Sequence, residues 1–133
     1  MSQGTTSTSC VCLGTDTLAA KQAIRKAPRV AELADESHFM ASIERCDSCG
    51  QHFLTLFCER VDWADSDDPQ TWLAFPVSAD EARQLQAANV AADESILTAT
   101  VVDPQRFLYH DMPKGAAGVF EWRTGTLHIP AHD

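Results

Sequence analysis

Two closely spaced cysteine pairs constrain this chain more than any other feature: Cys46-Asp47-Ser48-Cys49, followed by Gly50, and Cys10-Val11-Cys12, followed by Leu13-Gly14. Two thiols separated by two residues can turn both sulfurs toward one ion, and a glycine supplies the left-handed backbone needed to leave such a turn. A structural zinc takes four ligands, so Cys46 and Cys49 need two more. Cys10 and Cys12 are the best candidates, because thiolates suit closed sites and one helix plus a connector can return the chain to the knuckle. His52, three residues after Cys49, is the runner-up ligand, and Cys58 is a further alternative. A redox role for the pair would require it to open a helix after a βαβ strand, and this sequence does not place it there.

The flanks set the knuckle at a hairpin tip. Phe39, Ala41 and Ile43 alternate with more polar neighbours before it, and His52-Phe53-Leu54-Thr55-Leu56-Phe57 follows. The second strand carries apolar residues on both faces, with Phe53, Phe57 and Val61 on one and Leu54, Leu56 and Cys58 on the other, as in a central strand covered on both sides. Strand, Cys46-Asp47-Ser48-Cys49-Gly50, strand is similar to one knuckle of the zinc-ribbon proteins, over residues 37–61. That resemblance implies a second cysteine pair clamping the same zinc.

Five cysteines in 133 residues cannot all pair within one chain, and their spacing favours metal or redox use in a reducing compartment. Cys58, inside an apolar strand, reads as an inert buried thiol. A 44% hydrophobic content suffices for one core, and the expected organisation is a loose Ser/Thr/Gly tail over 1–9 and a single zinc-stapled domain over 10–133. With no positive leader and no apolar run of about 20 residues, the expected location is the cytoplasm, away from membranes.

Two helices stand out. Thr15 or Asp16 can cap one from Thr17 to about Ala27, ended by Pro28, with Leu18, Ala20, Ala23, Ile24 and Ala27 forming a small apolar face. Ser78-Ala79-Asp80-Glu81 is a capping box that starts another, running to about Asn89 with Ala82, Leu85 and Ala88 inward. Arg29 to Glu36 fits a short helix or a connector. Thr71 to Val77 reads as a strand with Pro76 at an edge, Phe107 to His110 as a short strand, and β-branched Ile96 to Val102 as a strand. Val119–Arg123 and Thr126–Ile129 are expected to form a terminal hairpin about Thr124-Gly125. The sum is an α+β fold, mainly an antiparallel sheet with two short helices and a metal knuckle at a hairpin tip.

Nineteen acids against ten Lys and Arg give a formal charge of -9, which excludes broad binding to nucleic acid backbones or anionic membranes. A protein with a basic surface is the partner this charge favours. Asp62, Asp65, Asp67 and Asp68, bracketed by Trp63 and Trp72, form the candidate recognition surface, since rings supply contact area and charges supply steering. The same acids lack the order of a calcium loop. His110, His128 and His132 could build a second, nitrogen-rich site, but Pro130 keeps His128 and His132 off one helical face.

No phosphate loop, nucleophile elbow or dinucleotide fingerprint is present. The functional expectation is a small zinc-stabilised binding or adaptor protein. A metal-dependent enzyme or metal-handling protein is one alternative, and an acidic inhibitor or immunity-type protein is another.

Overall fold

The computed structural model describes residues 10–60, 69–113 and 117–132. The expected tail and the acidic loop residues Asp62, Trp63, Asp65, Asp67 and Asp68 lie outside them. Six strands, β1 (Arg29–Glu36), β2 (Phe39–Arg45), β3 (His52–Glu59), β4 (Gln70–Val77), β5 (Gln105–Met112) and β6 (Val119–Gly125), form one antiparallel sheet in sequence order. Three short helices complete the α+β fold: α1 (Thr17–Lys26), α2 (Ala79–Ala87) and α3 (Ser95–Thr100).

Register divides the side chains between two cores. Ile43 pairs with Leu54 and Leu54 with Phe75, so alternate residues of β2, β3 and β4 share one face. Phe39, Ala41, Ile43, Leu54, Leu56, Cys58, Leu73 and Phe75 pack there against Ala82 and Leu85 of α2 and Leu97 of α3. Phe53, Trp72, Ala74 and Leu108 occupy the other face, under Ala20 and Ile24 of α1. β3 is therefore covered on both sides, as its unbroken apolar sequence requires.

The helix signals in the sequence operate as read. Asp16 caps α1 by accepting from the Ala19 amide at 3.1 Å, and Ala27 and Pro28 end it. Ala20 and Ile24 are buried, one turn apart, whereas Leu18 is 57% exposed. The Ser78 hydroxyl accepts from the Glu81 amide at 3.0 Å, and the Glu81 carboxylate accepts from the Ser78 amide at 2.8 Å.

Three segments differ from expectation. Ile96 to Val102 is not a strand: Asp93 accepts from both the amide and the hydroxyl of Ser95, starting α3, and Leu97 and Val101 are buried four residues apart. The terminal hairpin turns elsewhere. β6 runs through Thr124 to Gly125 and pairs along its length with β5, while Leu127 and Ile129 turn into the α2–α3 core. Gly118, just before β6, lies close against β5, since a Cβ there would stand 2.7 Å from the Asp111 carbonyl oxygen. Arg29 to Glu36 is the edge strand β1, in which register shifts between Arg29 and Ala31 and between Glu32 and Ala34 blur the period-two pattern. Pro76 lies beyond the last β4–β5 pair, Ala74 with Leu108, where β4 has lost one neighbour.

Removing the α2 cap should cost about 1 kcal/mol. Ser78→Ala is expected to lower the melting temperature by about 3–5 °C without changing the β-sheet signal in circular dichroism, and an unaltered midpoint would show that the capping box does not stabilise the native state.

Candidate metal centre

The knuckle forms because β2 and β3 stay paired to their ends. Arg45 opposes His52, and the Cys46 amide donates to the Gln51 carbonyl at 2.9 Å, closing the hairpin. Inside it the Gly50 amide donates to the Cys46 carbonyl at 2.8 Å, and Gly50 leaves the turn with φ of +81°. The amides of Cys49 and Ser48 donate toward the Cys46 sulfur, and that of Gln51 toward the Cys49 sulfur.

The second pair arrives on a single 3-10 turn, Val11–Leu13, closed by the Leu13 amide on the Cys10 carbonyl at 3.0 Å. It is held from two directions. Trp122 Nε1 of β6 donates to the Gly14 carbonyl at 2.7 Å, and Arg106 Nη1 of β5 donates to the Leu13 carbonyl at 2.9 Å. The Arg106 guanidinium also lies 3.8 Å from the centre of the Trp122 ring. This anchorage joins residues more than ninety positions apart, and no local pattern announced it.

The four sulfurs of Cys10, Cys12, Cys46 and Cys49 lie within 4.8 Å of one another. Cys10 to Cys12 is 3.5 Å, Cys12 to Cys49 is 3.5 Å, and Cys10 to Cys46 is 3.7 Å. A metal–sulfur bond of about 2.3 Å sets tetrahedral sulfurs about 3.8 Å apart, so the cluster has the dimensions of a single-ion cage. Cys12 is fully buried and Cys46 nearly so, and both cysteine pairs belong to the α1-side core.

The electrostatics of the cluster are compatible with a bound cation. Burial, followed by the neighbouring thiols of Cys49, Cys10 and Cys46, pushes the Cys12 thiol far up. Burial also raises Cys49, against the opposing pull of the Gln51 amide. At Cys46 burial works in the same direction, but the Cys49 and Ser48 amides and the Cys12 and Cys10 thiols outweigh it and bring the pKa to about 7. Four thiolates at these separations repel one another, and a bound divalent ion lets all four ionise together.

His52 falls outside this cluster: strand alternation sets it on the face opposite Phe53, within reach of the charges of Arg45 and Arg83. Cys58 is 1% exposed in the α2-side core. The other histidines are dispersed. His110 stacks on Phe120 with ring centres 4.2 Å apart and receives Lys21 Nζ on Nδ1 at 2.9 Å, His132 stacks on Phe39 and meets Glu94, and His128 is exposed. Trp72 is 8% exposed, with Lys21 Nζ 4.8 Å from its ring centre. No described helix is long and apolar enough to cross a membrane.

No protein-family model, curated protein or solved structure matches the chain. The chemistry of the site therefore rests on its own residues.

Two titrations check this picture. Burial, then the Glu94 charge, pushes the Cys58 thiol up to about 12, so a water-soluble thiol reagent at neutral pH should leave Cys58 unmodified until denaturant is added. Burial and, second, the Lys21 charge hold His110 below the ordinary 6.5, with Asp111 opposing. The neutral ring is the form the fold favours, so its stabilising contribution is complete above about 6.5 and is lost as pH falls from there toward the folded-state value. The His110 imidazole resonances should titrate below 6.5, and Lys21→Met should move the midpoint upward.

Proposed function

We propose that this protein is a small zinc-stabilised binding module in which Cys10, Cys12, Cys46 and Cys49 hold one structural zinc. The observation that carries the reading is the approach of four sulfurs from two separate segments to within 4.8 Å of one another, inside a folded core. Four thiolates fill a tetrahedral zinc shell and leave no open position for substrate or water, which favours a structural ion over a catalytic one. The ion ties the N-terminal turn, and α1 behind it, to the β2–β3 knuckle.

The partner class is a protein with a basic surface, met by Asp62, Trp63, Asp65, Asp67 and Asp68; Trp72, expected beside them, is instead buried in the α1-side core. The charge of -9 supports it through long-range attraction and fast encounter. Changing the four aspartates to asparagine should lower the association rate with such a partner and flatten its salt dependence, whereas unchanged kinetics would remove the loop from the interface.

Elemental analysis of protein purified without added metal should find one zinc per chain. Cobalt substitution should give the intense sulfur-to-metal charge-transfer bands of a tetrahedral four-thiolate site. Cys49→Ser should lose the ion and release the N-terminal segment, seen as faster amide exchange in α1 than in the β2–β4 core. Absence of metal together with four freely titrating thiols would overturn the zinc assignment.

A further inference from the structure

α1 covers only part of its face of the sheet. Beside it lies an open cleft of about 470 Å³, within the size range of small-molecule sites. Its floor is the continuation of β2, β3, β4 and β5 away from the knuckle, and its wall is the flank of α1 with the start of β1.

The lining is unusual for a chain this acidic. Lys21, Arg25 and Arg29 face the cleft, against the single carboxylate of Glu44. Arg29 is engaged, with Nε 3.2 Å from Glu44 Oε2 and Nη1 3.9 Å from Glu32. Among the described residues, Lys21 and Arg25 form no ion pair with a carboxylate, and the contacts of the Lys21 ammonium are the His110 imidazole and the rings of Trp72 and Phe120. Burial first, and the Arg25 charge second, hold Lys21 below the ordinary lysine range.

The floor carries a built polar centre. Glu44 is 4% exposed and Ser42 8%. The Ser42 hydroxyl donates to Glu44 Oε2 at 2.6 Å, and the Thr55 hydroxyl donates to Oε1 at 2.7 Å. Oε2 also receives Arg29, whereas Oε1 has the Thr55 hydroxyl as its one described donor, so it keeps acceptor capacity. Around this centre Met40, Phe57, Trp72 and Met112 provide an apolar lining. Met40 is 40% exposed at the mouth, although its backbone sits in the middle of the sheet.

The geometry points to a ligand site for a small organic acid, whose carboxylate is held by Lys21 and Arg25 and whose apolar body rests on Met40, Trp72 and Met112. A hydroxyl or amine on that ligand can donate to Glu44 Oε1. Two cations with no carboxylate partner among the described residues attract the acid group. The buried Ser42–Glu44–Thr55 network gives the floor a fixed direction, and the sulfur-rich and aromatic walls accept varied apolar shapes. This site is separate from the cysteine cluster, and it goes beyond the zinc-stabilised module proposed above.

The test is heteronuclear NMR of the full chain as purified, titrated with phenylbutyrate, hexanoate and indoleacetate. Each acid is matched by its neutral amide, and inorganic phosphate serves as an anion without an apolar body. At least one acid should give saturable shifts confined to Lys21, Arg25, Met40, Thr55 and Trp72, with its amide weaker by about tenfold or more. Phosphate should be weaker than that acid. Lys21→Gln with Arg25→Gln should abolish the preference for acid over amide, and Met40→Glu, at an exposed position, should weaken the acid while leaving the melting temperature unchanged. Shifts scattered over the surface, no saturation by any acid, or equal binding of acid and amide would overturn the assignment. Zinc content measured on the same sample separates failure of the cleft from failure of the cysteine clamp.

Discussion

The pairing of β2 with β3 is the constraint on which the rest of the molecule depends. In its register Ile43 faces Leu54 and Arg45 faces His52, and a slip of one residue would exchange the two faces of one strand. Were β3 the strand turned over, Phe53 and Phe57 would point toward α2 and Leu54 and Leu56 toward α1; were it β2, Cys46 would leave the side from which Cys10 and Cys12 approach. One hairpin thus decides where each core lies, which face carries Glu44, and where the sulfurs meet. Because β3 is packed on both sides, a slip from that register is opposed in either direction.

The two faces have different characters. The α2-side core draws on β1 to β5, α2, α3 and the segment after β6, and is apolar apart from the thiol of Cys58. The α1-side core is narrower and chemically richer, containing the cysteine cluster, Trp72 and the polar centre around Glu44. α1 crosses this face and divides it. At one end of the helix the sulfurs and the Trp122 and Arg106 bonds secure the N-terminal turn, and along its flank Lys21 and Arg25 border the cleft. The helix that follows the fastened turn is thus the one that walls the cleft.

Much of this was legible in the residues. Ser78 with Glu81, Asp16 ahead of Thr17, and Cys46 to Gly50 between apolar runs each combine a local chemistry with a fixed spacing, and each folds as that chemistry directs. The four-sulfur set was accessible for the same reason, since two closely spaced thiol pairs offer the four ligands of a single ion. Ile96 to Val102 was harder. Its β-branched residues favour a strand only where a partner strand is present, and the helical spacing of Leu97 and Val101 prevails once the α2–α3 side offers a surface to pack on. Thr124-Gly125 resembles a turn, but there the chain stays paired with β5 through Arg106 and Gln105. The cleft could not be read in advance, because Lys21, Glu44, Thr55, Trp72 and Met112 come from five separate elements, and only the register brings them together.

The bulged strand β1 has a consequence for how the protein meets its own copies. An open sheet ends in two strands with unpaired backbone groups, each a template for adding another chain. At β1 the shifted register bends that template, and Glu32, Asp35 and Glu36 stand exposed along it. A second copy approaching in the same way would bring carboxylates against carboxylates. β6 has the opposite temper, with exposed Glu121 and Arg123 already bonded to each other and no acidic row. Among the described residues, the sheet thus carries its acidic row at the margin nearer the knuckle strands and none at the β6 margin.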